Sequence, residues 1–186
     1  YSPLKPCDPY PKSVFLTGIP KFSQLSIFSE LNNLTNISMA PQFAALCGIS
    51  VDEVQEQMAD YLADFAAAHN KSVDEALESL KVQYDGYHFA WPSPDVFNPF
   101  SLLNAFLDKR LKSYWFESGT TTFLIEMLRK YSNVFTDIKS IEASPCDFDA
   151  PTESATSIVP LLYQSGYITI KAYNPDFDYY VLDIPN

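Results

Sequence analysis

The chain has 186 residues, 47% hydrophobic and 19% charged, and its 23 acidic and 12 basic side chains leave a net charge of −11. This is the composition of a globular chain. It excludes a membrane-spanning helix, because no apolar run approaches the roughly 18 residues such a helix needs, and it disfavours direct contact with nucleic-acid phosphates, which depends on a basic surface.

Cys7, Cys47 and Cys146 are odd in number and far apart, and His69 and His88 add no metal-ligand spacing. No metal site is therefore expected, and reduced thiols in a cytoplasmic compartment are. Tyr1 reads as a cut or processed end, and without a secretory signal the Asn33, Asn36 and Asn70 sequons read as chance matches.

Residues 1–12 hold four prolines and read as a linker. The run Val14-Phe15-Leu16-Thr17-Gly18-Ile19-Pro20 follows, an apolar segment stopped by Gly and Pro. It has no polar face, which is the pattern of a strand buried on both sides of a parallel sheet. Thr17 and Lys21 then fall just past the carboxyl end of that strand, where open α/β sheets bind ligands. Residues 24–34 follow as a loop or short helix, with Leu25, Phe28, Leu31 and Leu34 recurring every third residue, consistent with one packed helical face.

Two segments share a capping signature. Ser50-Val51-Asp52-Glu53 and Ser72-Val73-Asp74-Glu75 each place Glu three residues after Ser. Behind the first, Val51, Val54, Met58, Tyr61, Leu62 and Phe65 form one apolar stripe; behind the second, Val73, Ala76, Leu77 and Leu80 do likewise. Residues 84–96 form an aromatic loop broken by Gly86, Pro92 and Pro94. Asn98-Pro99 is an N-cap before a first-turn proline and predicts a helix to about Leu111, with Phe100, Leu103, Phe106 and Leu107 inward. A further helix is predicted over 120–131, with Phe123, Leu124, Met127 and Leu128 on one face.

Residues 132–152 read as irregular and acidic. A helix near 153–164 is delayed or kinked by Pro160 and ended by Gly166. Strands over 167–173 and 179–184 close the chain as a hairpin, and a helix feeding directly into a hairpin is how a winged-helix domain ends.

In the aromatic loop, Asp85 and His88 offer an acid and a base, but no nucleophile or orienting group accompanies them. The plain reading is that Asp85-Gly86 makes a turn while Tyr84, Tyr87 and Phe89 pin the loop to the helices. Glu117, Asp147 and Asp149 read as solvated surface acids, without the hairpin context of a nuclease centre. A carbohydrate-binding surface built on Trp91 and Trp115 would require both rings to be exposed.

The segment from Val14 to Ser23, with Ser26-Ile27-Phe28-Ser29-Glu30-Leu31, Tyr84-Asp85-Gly86-Tyr87-His88-Phe89, Asn98-Pro99-Phe100-Ser101-Leu102-Leu103-Asn104, Tyr114-Trp115-Phe116-Glu117-Ser118-Gly119-Thr120 and Leu161-Leu162-Tyr163-Gln164-Ser165-Gly166-Tyr167, resembles the predicted AAA-ATPase-like family of gut anaerobes. The likeness runs in order over nearly the whole chain. It implies a P-loop ATPase core upstream of Tyr1 and often a restriction-like PD-(D/E)XK nuclease domain downstream. ATP and Mg²⁺ would be cofactors of the intact protein, with none expected for this part alone.

The fold the resemblance implies is mainly α with a small β component. An orphan strand of the ATPase core (1–39) would lead into a helical lid (40–131) and a winged-helix-like region (132–186). Thr17 and Lys21 would be sensor-like residues facing the nucleotide. Tyr84, Asp85, Tyr87 and His88 would contact the ATPase core. The partners expected are that core, the nuclease-like domain and, through the open edge of the orphan strand, a second copy of the chain; no membrane and no nucleic acid is expected to bind this part. The alternative function is a non-enzymatic helical and winged-helix module that binds a protein or nucleic-acid partner.

Overall fold

A computed structural model describes residues 10, 12–15, 35–115, 129, 141–148 and 158–186. Among them are five helices, α1 (Val51–Gln57), α2 (Ala59–Ala68), α3 (Val73–Tyr84), α4 (Pro99–Asp108) and α5 (Val159–Gln164). Three strands, β1 (Ile141–Ala143), β2 (Thr169–Asn174) and β3 (Tyr179–Asp183), form an antiparallel sheet in the order β1-β3-β2. The protein is helix-rich with a small β component, as its periodicity predicts. The loop or short helix expected over 24–34 and the helix predicted over 120–131 lie outside the described residues, apart from Arg129.

Both capping boxes form. The Ser50 hydroxyl accepts from Glu53 N–H while Glu53 accepts from Ser50 N–H, and Ser72 and Glu75 repeat the exchange. These bonds satisfy backbone donors that a helix start otherwise leaves open. The single stripe predicted after the first cap is broken at Met58, whose φ of −119° and ψ of 20° end α1 before α2 begins. The break turns Tyr61 outward, 63% exposed, while Val54, Leu62 and Phe65 stay buried.

The predicted inward face of α4 requires correction. Ser101, Leu102, Ala105 and Phe106 are its buried residues. Phe100, Leu103 and Leu107 are exposed at 49%, 49% and 79%. The sequence of α4 is apolar around most of its circumference, so periodicity does not choose a face; packing against α2 and α3 does. The helix also ends at Asp108 and not near Leu111, because Lys109 turns left-handed at φ 53°.

Residues 132–152 are not wholly irregular. Ile141–Ala143 pair with β3, a strand too short to show an alternation. Asp147 is not simply solvated: its Oδ2 accepts from Ser144 N–H and Oγ–H, both at 2.7 Å, and holds the turn after β1. In α5, Pro160 sits in the first turn, and Gly166 follows the C-cap Ser165 at φ 74°. A bulge interrupts β2 between Ile170 and Ala172, leaving Lys171 without a partner on β3.

Two hydrophobic clusters result. One joins α1 to α4 around Val54, Phe65, Leu80, Phe97 and Leu102. The other packs Phe148, Ile158, Leu162, Ile170 and Leu182 between α5 and the sheet. The loop after α3 runs between them.

Candidate functional site

Chemistry-bearing side chains gather on that loop, residues 85–98. Its backbone is anchored to the helical cluster first. Phe97 bridges to Ile49 and Asn98 N–H returns to Tyr84 O at 2.9 Å, while Tyr87 and Val96 brace the loop internally through N–H···O bonds of 3.2 and 3.1 Å. The Tyr84 hydroxyl donates to Lys112 O and accepts from Lys112 N–H, at 2.8 and 2.9 Å.

The hairpin holds the other side. His88 N–H donates to Thr169 Oγ1 at 2.7 Å, and that buried hydroxyl donates back to His88 O at 2.9 Å. Because Lys171 is the extra residue of the bulge, its side chain leaves the alternation of the strand. Its ammonium donates to Gly86 O at 2.8 Å and to Pro185 O at 2.7 Å. Asn186 Nδ2 donates to Gln83 O at 2.6 Å, and the Trp115 and Tyr167 rings meet edge-on at 4.6 Å. The loop is a seam, hydrogen-bonded from both sides.

Asp85 and His88 do not form the acid–base pair that their spacing allows. The His88 ring lies between Ser93 Oγ, 3.0 Å from Nδ1, and Asp95 Oδ1, 2.6 Å from Nε2. Sequence reasoning missed both partners. They lie in a Pro-Ser-Pro-Asp turn that carries no catalytic spacing, and only the fold of the loop brings them together.

A Ser, a His and an Asp in hydrogen-bond sequence are the parts of a nucleophilic triad. Here, however, Ser93 gives its one proton to Ala90 O at 2.9 Å, so it receives a hydrogen bond from the ring and is not activated by it. Asp95 is more than half exposed, where a triad carboxylate is buried. The arrangement is a turn staple.

Asp85 caps the end of α3 and is 6% exposed; its Oδ1 is buried with no hydrogen-bond partner among the described residues. Burial pushes its carboxyl above the ordinary range, and the Gly86 N–H offsets that only in part. Burial likewise raises the Tyr84 and Tyr87 hydroxyls. Tyr114, desolvated and bonded to Asp108, is pushed up to about 12.

A cavity of about 170 Å³ opens beside the seam, lined by Gln83, Tyr87, Asn98, Ser101, Trp115 and Asn186 among others. None of its lining side chains is charged; they are amides, hydroxyls and an indole, a neutral hydrogen-bonding surface. Among the described residues no group of three or more His, Cys, Asp and Glu could hold a metal ion. Trp91 and Trp115 are half-buried, each ring against a partner (His88 and Tyr167), and do not form an exposed patch.

Thr17 and Lys21 lie outside the described residues, as does most of the segment predicted as the orphan strand. Val14 and Phe15 take no regular secondary structure and are 47% and 60% exposed. Among the described residues no helix is long and apolar enough to cross a membrane.

The comparisons with known proteins add a relative but no family. Over 170 residues, 91% of its length, the chain is 33% identical to the "Uncharacterized protein in vnfD 5'region" of Azotobacter chroococcum mcd 1. It spans 31% of that protein's length. No protein-family model matches the chain, and no solved structure matches it.

Proposed function

We propose that this chain is the lid and wing of a longer AAA-like P-loop ATPase, passing the ATP state of a nucleotide-binding core to an adjoining domain. The observation that carries the reading is the seam. A part that transmits a conformational state must move as a unit, and residues 85–98, braced within themselves by the Tyr87–Val96 bridge, are hydrogen-bonded to the helical side through Phe97 and Asn98 and to the hairpin through Thr169 and Lys171. The sheet order β1-β3-β2, with α5 running into the β2–β3 hairpin, supports a winged-helix-like unit. A relative about three times longer than the matched region supports flanking domains.

On this reading ATP and Mg²⁺ belong to the core. The cavity's lining side chains carry no charge to pair with a triphosphate. Lys21 would offset charge that grows on the phosphoryl oxygens during transfer, and Thr17 would lie beside it.

Calorimetry tests the division of labour. The 186-residue chain is expected not to bind Mg-ATP, and micromolar binding would overturn the reading. In the longer protein, Lys21→Ala is expected to lower kcat about ten- to thousandfold with little change in nucleotide affinity. Unchanged turnover in a folded variant would reject the sensor role.

The second reading, a non-enzymatic interaction module, draws on the exposed Phe100, Leu103 and Leu107 of α4. A longer protein that engages a partner through this face without hydrolysing ATP would favour it.

A further inference from the structure

Several observations meet at the carboxyl end of α3. The Lys171 ammonium bridges Gly86 O and Pro185 O, and Asn186 caps the Gln83 carbonyl. Gly86 adopts φ 93°, and a Cβ there would lie 2.3 Å from Pro185 O, so the backbone of residues 184–186 closes directly onto the turn. Between Gln83 and Gly86, the two residues the tail reaches, stands Asp85, buried, with one carboxyl oxygen that accepts nothing from the described residues.

A carboxylate is doubly disfavoured at this point. It has lost its water, and the end of a helix already carries partial negative charge from open carbonyls. Three charged or titratable groups act on it: Lys81 of α3 and His88 favour ionisation, and Asp95 opposes it. Lys81 is bonded to Glu78 at 2.9 Å, and the His88 ring is held by Asp95 and Ser93. Lys171, on the facing bulge, has two of its protons committed to carbonyls. None of these groups donates to the orphan oxygen, whereas a proton on Asp85 removes the charge.

We propose that Asp85 is a proton-controlled latch, neutral while residues 184–186 are docked on the end of α3 and loosening that contact when it ionises. The latch stands on the geometry of the seam. Only its use in relaying a nucleotide state rests on the ATPase reading, so the two can fail separately.

The sign follows from linkage. An acid whose folded form holds its proton more tightly than the unfolded chain loses stability as pH rises from the unfolded value of 3.8 through the folded one. Asp85→Asn removes that loss. Thermal unfolding of the 186-residue chain between about pH 4 and pH 8 should therefore show Asp85→Asn more stable at neutral pH, by about 2–4 °C, with the gap closing in acid. A variant less stable at neutral pH, or a gap constant with pH, would overturn the proposal.

Should the variant fail to fold, carbon NMR of the wild-type carboxyl decides. Its titration midpoint is expected above the ordinary aspartate range, and the Ile184 and Asn186 amide signals are expected to move with the same midpoint. An ordinary midpoint, or tail amides indifferent to it, would leave Asp85 a plain helix cap.

Discussion

Single residues on the seam act through the backbone they touch more than through their own chemistry. Gly86 is the clearest case. Its positive φ strains any residue with a side chain, and the approach of Pro185 O leaves no room for a Cβ. Gly86→Ala should therefore destabilise the chain by at least about 1–3 kcal/mol, the usual range for a strained backbone. A lowered urea midpoint is the measurement; an unchanged midpoint would mean that the tail moves aside at no cost. The glycine was legible in the sequence as a turn residue, but its neighbour was not, because Pro185 lies 99 residues further along the chain. Thr169 and Lys171 were illegible for the same reason, and Ser93 and Asp95 because no local pattern pairs them with the His88 ring.

At the scale of elements, the helix starts are local and the helix faces are not. Ser72→Ala should cost about 1 kcal/mol, typical for loss of an N-cap, and lower the thermal midpoint accordingly. The pH dependence of the cap has a definite sign. Hydrogen bonding from the Ser72 backbone N–H first, and from its side chain second, holds the Glu75 carboxyl below its ordinary value of 4.5. A depressed acid contributes stability above that value and loses it as pH falls through the folded one. Ser72→Ala keeps the backbone donor, so the test is Glu75→Gln: the difference between wild type and Glu75→Gln should be larger near neutral pH than in acid, by thermal denaturation at each pH. An equal difference would confine the cap to the serine hydroxyl. The buried side of α4 shows the opposite limit: Leu102 and Leu103 are neighbours of the same type, yet one is fully buried and the other half exposed.

Across the whole molecule, charge decides more about partners than fold does. A winged-helix-like hairpin invites a DNA assignment, yet fold alone does not establish function. From 167 to 186 the one basic residue is Lys171, set against Asp176, Asp178 and Asp183. The structure also commits that ammonium to Gly86 O and Pro185 O. With a net charge of −11, the chain should show no measurable binding to duplex DNA at physiological salt. A salt-sensitive, submicromolar complex in an anisotropy titration would reverse that view.

The sequence by itself determined what depends on near neighbours. The two Ser-x-x-Glu caps, the Asn98-Pro99 start, a helix start disturbed by Pro160 and the closing hairpin could all be read, because each rests on bonds or dihedral limits within a few residues. Composition alone likewise set the sign of the surface. Tertiary structure alone decided which face of α4 turns inward, that Ile141–Ala143 joins the sheet, and that a bulge aims Lys171 at a turn 85 residues earlier. Those outcomes rest on burial and pairing between distant segments, whose energies no local pattern contains. The buried, unpartnered carboxyl of Asp85 belongs with them: in the sequence it is one acid among 23, and only folding removes it from water.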